Sequence, residues 1–288
     1  MLILALAAAA LYGTADFFGG VASRRASPFA VIALTMPAGF LVVVAVIAVL
    51  AVTHGGVLVP FGGTGGGWAA AGWAAAGGAT GAIGLIAFYA GFASAPMSVV
   101  APVSALVSTV LPVGVAMAGG ERPTAVVIAG ALICLAAIIL VSAEPGAARS
   151  AHKLRGLGYG IAAGAAFGLF FVFLKNAGHD GVLWPVAVQR LAGTAVALIA
   201  FAIVRPGRAA MDKQLLRIAL VSGALDSMAN VCYVLATRMG MFGLAVVITS
   251  LYPGATVLLA RFVLRERMRV VQQVGLVLAA AGVILVSV

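Results

Sequence analysis

Two aspartates, an arginine and a lysine stand in places where a charge is expensive. Asp16, Arg190 and Asp226 lie inside apolar stretches long enough to cross a bilayer, and Lys175 lies at the end of another. A charged side chain at the bilayer centre costs about 2.5–3.5 kcal/mol on insertion scales, so such residues face one another, a wet cavity or a bound molecule. The chain has seven acids in 288 residues, and two of them are spent here. A carboxyl in such a place can carry a proton or bind a cation. A guanidinium stays protonated and demands an anion: Asp226, Asp16, or the carboxylate or phosphate of a substrate.

Polar neighbours recur at helical spacing. Asp226, Asn230, Tyr233 and Thr237 follow one another at intervals of four, three and four, which puts them on one stripe of one helix. Gln189, Arg190, Gly193 and Thr194 form a compact polar patch in the next span upstream, and Tyr12 and Asp16 lie four apart in the first span. These residues define the expected substrate site: Arg190, Gln189, Asp226, Asn230 and Tyr233, with Tyr89 and Tyr252 as aromatic walls. Asp16 and Asp226 are the expected proton carriers. A structural alternative stands beside each reading. Arg190 and Asp226 can form a permanent pair between two helices, Asn230 and Thr237 can bond neighbouring helices, and Asp16 can be hydrated at the interface.

The elements that position these residues follow from composition. Hydrophobic residues make up 64% of the chain and charged residues 8%, against about 25% charged in soluble domains. A helix needs roughly 20 apolar residues to cross a bilayer, and the chain reads as ten such runs, near 2–22, 29–53, 68–92, 96–118, 124–143, 155–175, 183–204, 215–237, 241–263 and 269–288. Backbone groups in hydrocarbon must be satisfied within their own segment, so the runs are helices. The fold class is all-α and integral to the membrane. The Gly-rich stretch from Thr53 to Gly67 reads as a loop, and Glu144 to Arg155 reads as a linker between two halves. Gly156, Gly160, Gly164 and Gly168 recur every four residues, a spacing that lets helices approach closely. Pro102, Pro112 and Pro253 are expected to interrupt spans four and nine.

The halves resemble each other. Glu121-Arg122 recurs as Glu266-Arg267, Gly130 falls on Gly275, and Ile139-Leu140-Val141-Ser142 falls on Ile284-Leu285-Val286-Ser287. Phe88-Tyr89 pairs with Cys232-Tyr233, and Gly13 with Gly168. The expected domains are residues 1–146 and 155–288, with five spans each. An odd number of spans forces the two copies to enter the membrane in opposite senses. Such inverted repeats place a substrate site at their interface near the midplane in secondary transporters. Glu121 and Glu266 are expected to cap the starts of the last span in each half.

The sequence resembles the drug/metabolite transporter superfamily, specifically its EamA-type members. The resemblance rests on the ten spans, on Leu11-Tyr12-Gly13-Thr14-Ala15-Asp16-Phe17, and on Gly119-Gly120-Glu121-Arg122 and Leu264-Arg265-Glu266-Arg267, each followed by a Gly-containing helix. It implies a secondary carrier of the bacterial cytoplasmic membrane, often an exporter of amino acids, other metabolites or drugs, working by alternating access. The expected partners are a small-molecule substrate, membrane lipids and, from the placement of Asp16 and Asp226, protons; because each repeat pairs with the other inside one chain, a monomer is expected to suffice.

Other classes fit less well. The net charge of +10 lies in short loops, where Lys and Arg set orientation, so nucleic acid is not an expected partner. His54, His152 and His179 are scattered and form no HExxH, and no GxSxG or phosphate-binding loop occurs. The expectation is therefore no enzyme, no metal and no cofactor. Cys134 and Cys232 read as small core residues. An uncoupled facilitator or a lipid flippase is the alternative. Arg24, Arg25, Arg155, Arg205, Arg217 and Arg269, with seven further basic residues, flank loops that follow odd-numbered spans; only Arg122, Lys175 and Arg238 flank the others. The positive-inside rule places this Arg-rich face in the cytoplasm and both termini outside, whereas the resemblance favours termini inside.

Overall fold

A computed structural model describes residues 1–23, 25–53, 67–95, 97–141, 151–177, 182–205, 213–263 and 269–287. The Gly-rich loop and the linker, His54, His179-Asp180 and Glu266-Arg267 fall outside the described residues. Within them the chain is helical throughout: α1 (Leu2–Ser23), α2 (Pro28–Thr53), α3 (Gly67–Ser94), α4 (Met97–Ala118), α5 (Ala125–Val141), α6 (Ala151–Ala177), α7 (Leu183–Val204), α8 (Lys213–Arg238), α9 (Phe242–Thr249), α10 (Tyr252–Val263) and α11 (Val270–Ser287). Six of these are long and apolar enough to cross a membrane by themselves: α1, α2, α3, α6, α7 and α8. The other apolar runs are shorter, and one of them, the ninth span, is made of two pieces, α9 and α10.

The break in the ninth span has a local cause. The Ser250 and Leu251 N–H groups still bond back to Val246 and Ile248, but Pro253 has no N–H to continue the ladder and crowds the preceding turn. The chain closes one helix and starts another with proline in its first turn, where the missing donor costs nothing. Pro112 and Pro102, expected to act in the same way, sit inside a continuous α4, and Pro37 sits inside a continuous α2. A proline in a membrane helix is tolerated when neighbouring helices re-satisfy the freed carbonyl.

The packing interleaves the two halves. α1 lies along α8 and against α9 and α10; α6 lies along α3 and α4. α2 packs on α7 and α8, α7 packs on α2 and α3, and α5 pairs with α11. Exchanging α1 with α6, α2 with α7, α3 with α8, α4 with α9–α10 and α5 with α11 returns the largest of these helix pairings, though α5 also touches α4, α9 and α10. Gly13 and Gly168 occupy matching places: Gly13 rests against the Tyr252 carbonyl just before Pro253, and Gly168 against Leu111 just before Pro112. The expected glycine stripe of α6 is a packing surface, since Gly160 and Gly164 lie against Val100, Val103 and Ser104 of α4.

One close crossing sets the site. A Cβ on Gly78 of α3 would sit 2.0 Å from the Gln189 carbonyl and 2.9 Å from the Gly193 nitrogen of α7. Because Gly78 has no side chain, α7 lies directly on α3 and its next residue, Arg190, is placed in the centre of the molecule. Gly78→Val forces the helices apart, with an overpacking cost of about 1–3 kcal/mol. The expected result is a lower melting midpoint in detergent together with loss of transport. An unchanged midpoint would mean that the crossing is looser than described.

Candidate substrate site

Seven spans and α10 contribute side chains to one cavity near the middle of the bundle. It holds some 520 Å³ of unfilled space, mouth included, and is lined by Tyr12 and Asp16 of α1, Met36 of α2, Gly81 and Leu85 of α3, Ser108 of α4, Phe167, Phe170 and Phe171 of α6, Gln189 and Arg190 of α7, Asp226 and Asn230 of α8, and Tyr252 of α10. Of the residues expected from sequence, Arg190, Gln189, Asp226, Asn230, Tyr252 and Asp16 therefore share one cavity. Tyr233 and Tyr89 are not among its lining residues.

The charged groups are arranged unequally. Arg190, 1% exposed, pairs through Nη2 with Asp226 Oδ2 and points Nη1 at Met36 Sδ, 3.6 Å away. A planar guanidinium can hold a carboxylate with one edge and pack the rest against apolar neighbours. Asp226 is 23% exposed, so the pair is only partly withdrawn from water. Asn230 donates to the Asp226 carbonyl at 2.9 Å, and its side-chain oxygen accepts from the Tyr12 hydroxyl. That bond ties α1 to α8 at the floor of the cavity. The buried Gln189 Oε1 has no hydrogen-bond partner among the described residues, which leaves an acceptor for a donor arriving from the cavity.

Asp16 differs from Asp226. Among the described residues no ion pair or hydrogen bond reaches its carboxyl, although Asp226, Tyr12, Tyr89 and Tyr252 are close enough to interact with it electrostatically. α1 is fixed around it by two contacts to its own backbone: Ser222 of α8 donates to the Ala15 carbonyl, and Thr256 of α10 donates to the Gly13 carbonyl, both at 2.9 Å. The carboxyl is thus held by a rigid backbone but left without a cation.

The two tyrosines outside the cavity act beside it. The Tyr233 hydroxyl donates to the Phe171 carbonyl of α6 at 2.9 Å, and its ring packs on the Phe171 ring. Tyr89 of α3 presses its hydroxyl end on Gly19 of α1, where an added Cβ would lie 2.0 Å away. Lys175 is also outside the cavity, at the end of α6, with Nζ 5.4 Å from the centre of the Phe242 ring. Glu121 is a cap, as expected, but of a different helix: both its oxygens accept from N–H groups at the start of α9, Phe242 at 2.7 Å and Gly243 at 3.0 Å. Its own helix α5 begins only at Ala125.

Sequence reasoning missed the walls. Met36, Leu85, Phe167, Phe170 and Phe171 are ordinary residues for a membrane helix, and nothing in their type separates a cavity-facing side chain from a lipid-facing one. The one available signal was indirect: Phe170 and Phe171 lie just beyond Gly168, on a helix already marked for close packing.

A polytopic helical membrane protein, with a largely apolar cavity among its helices that also carries charged and polar side chains, is the class that fold and site define. Residues 154–288 match the model of the EamA-like transporter family. A solved crystal structure, 18% identical, superposes with a TM-score of 0.78 over 98% of this chain and 94% of that one, which shows a shared fold. A comparison with the curated proteins finds no match. Through residues 154–288 the chain is similar to the EamA-like transporters of the drug/metabolite transporter superfamily.

Proposed function

We propose that the protein is a secondary active carrier that exchanges protons for a small, partly apolar substrate bearing an amino group, exporting it across the bacterial cytoplasmic membrane. The observation that carries this reading is that, among the described residues, the Asp16 carboxyl has no ion-pair partner in a cavity whose one lining cation, Arg190, is already committed to Asp226. An ammonium and a proton compete for such a carboxyl, and competition for one site is the simplest form of coupled exchange. Phe167, Phe170, Phe171, Tyr252 and Met36 supply the apolar wall, which suits cations with attached hydrocarbon or aromatic groups. Arg190 and the free Gln189 oxygen stand ready for the polar remainder of an amino-acid-like substrate.

Two repeats, 1–146 and 155–288, would alternate the cavity between the faces. The exchange of helix contacts between halves supports this. It also means that the moving bodies draw helices from both repeats, with α3, α4 and α6 on one side and α1, α8, α9 and α10 on the other.

The test is uptake of a mixed set of amines, amino acids and organic anions into proteoliposomes under an imposed pH gradient. Gradient-dependent accumulation of amines supports the reading. Flux indifferent to the gradient indicates a facilitator or lipid flippase, and accumulation confined to organic anions removes the role given to Asp16.

A further inference from the structure

The cavity is sealed differently at its two ends. On the inward stripe of α8, Asp226 is 23% exposed between Asn230 at 1% and Tyr233 at 0% on one side and Ser222 at 3%, Ala219 at 0% and Leu215 at 2% on the other, so the carboxylate meets the cavity while the stripe is buried toward both ends. The face opposite the Arg-rich one is closed by specific contacts. There α4 packs against α9, the Glu121 carboxylate accepts from the Phe242 and Gly243 N–H groups, Lys175 covers the Phe242 ring, and Tyr233 bonds across to Phe171. These contacts join the two groups of helices that must separate if the cavity is to open on that side.

Glu121 is placed there by its own turn. The Glu121 N–H bonds to the Ala116 carbonyl and the Gly120 N–H to the Met117 carbonyl, the paired bonds of a Schellman ending, with Gly120 at φ +96°. Glycine takes that conformation without the Cβ penalty of other residues. The turn throws the next side chain off the end of α4 and onto the start of α9. The carboxylate then meets two free N–H groups and the positive end of a helix dipole, the strongest cap available to it.

The Arg-rich end has a counterpart of another kind. Tyr89 corresponds to Tyr233 in the repeat, and it meets α1 at Gly19 by close packing, with no hydrogen bond to that helix among the described residues. The contact of α3 with α1 at the Arg-rich end is thus a surface contact, whereas that of α4 with α9 is held by charge-assisted hydrogen bonds.

We propose that Glu121 is the latch of the gate opposite the Arg-rich face: in each transport cycle its carboxylate releases the N–H groups of Phe242 and Gly243, and the α4–α9 seam parts to admit solvent to the cavity. Glu121 touches no substrate in this scheme; it positions α9 against α4. The inference rests on the alternating-access reading above, but its labelling test does not need the substrate to be known.

The test uses the full-length protein with Cys134→Ala and Cys232→Ala, so that introduced thiols are the only ones present. Leu85→Cys reports on the cavity, and Met239→Cys, exposed in the connection before α9, identifies the latched face. Glu121→Gln keeps one acceptor and sets an NH₂ group against the second N–H. We expect labelling of Leu85→Cys by a membrane-impermeant maleimide to rise about tenfold from the latched face and to fall from the other. Unchanged labelling ratios with a lowered melting point would make Glu121 a plain structural cap and overturn the proposal.

A second variant guards against misfolding. Ala116→Cys with Gly243→Cys, with Glu121 intact, brackets the seam: a Cβ on Gly243 would lie 3.2 Å from that of Ala116, near the separation a disulfide spans. Oxidation is expected to halt transport and reduction to restore it. Unimpeded transport by the oxidised protein would show that the seam never opens. A failed latch with intact gradient-driven exchange leaves the proposed function standing. Absent exchange with altered labelling removes the function and leaves the latch.

Discussion

Asp16→Asn abolishes gradient-driven accumulation. Asn retains the size and hydrogen-bonding capacity of a protonated carboxyl but can neither release a proton nor hold a cation. An ammonium 4 Å from a carboxylate gains about 4 kcal/mol at an effective dielectric of 20. After allowance for desolvation, the expected loss of affinity for a cationic substrate is about a hundredfold. The melting midpoint is expected to stay within a degree or two of wild type (roughly 0.5 kcal/mol), because among the described residues Asp16 makes no ion pair that the substitution would break. Binding measured in detergent separates affinity from coupling. Wild-type binding and accumulation in Asp16→Asn would transfer the proton site to Asp226 or remove it altogether.

Arg190→Met produces the largest loss of stability. The substitution leaves Asp226 without its cation, and breaking a buried pair from one side costs about 3–5 kcal/mol. With Asp226 23% exposed, the lower end of that range applies. Arg190→Met with Asp226→Leu removes both charges and is expected to recover most of the midpoint, since an apolar pair of similar volume often matches a buried ion pair. Transport is not recovered, because the cavity has then lost the only cation among its described lining residues. A double-mutant cycle on thermal midpoints reads the coupling directly. Additive losses in the cycle would mean that the two side chains do not stabilise each other, and a fully active double variant would make the pair structural.

How much of this was legible in the sequence depends on contrast. Asp16, Gln189, Arg190, Asp226 and Asn230 stood out because a polar group in an apolar helix must be accommodated, and the same cavity accommodates all of them. Tyr233 shares their stripe, but one turn further on its hydroxyl finds the Phe171 carbonyl of another helix, and no spacing rule on α8 reveals what α6 offers. Tyr89 was read as a wall for its aromatic type, whereas its partner is a glycine distant in sequence. Glu121 was recognisable as a cap, because acids suit helix starts, but not as the cap of α9. That assignment needs the crossing of α4 and α9, which is a tertiary fact. Pro253 broke its helix and Pro112 did not, although each follows a similar run of residues. Propensity alone carries no information about the neighbouring helices on which such a difference depends.

The interleaving of the halves bears on how the protein is made. Ala15 and Ser222, which join α1 to α8, are 207 residues apart. Ribosomes add roughly 5–20 residues per second, so α1 enters the membrane on the order of ten to forty seconds before its partner is synthesised. Through that interval Asp16 has no α8 or α10 beside it and must reside in lipid, at a translocon wall, or against a chaperone. Biogenesis thus imposes its own demand on this residue, separate from transport: its helix has to be accepted by the insertion machinery with the carboxyl uncovered, and the finished cavity closes around it only when the second half arrives.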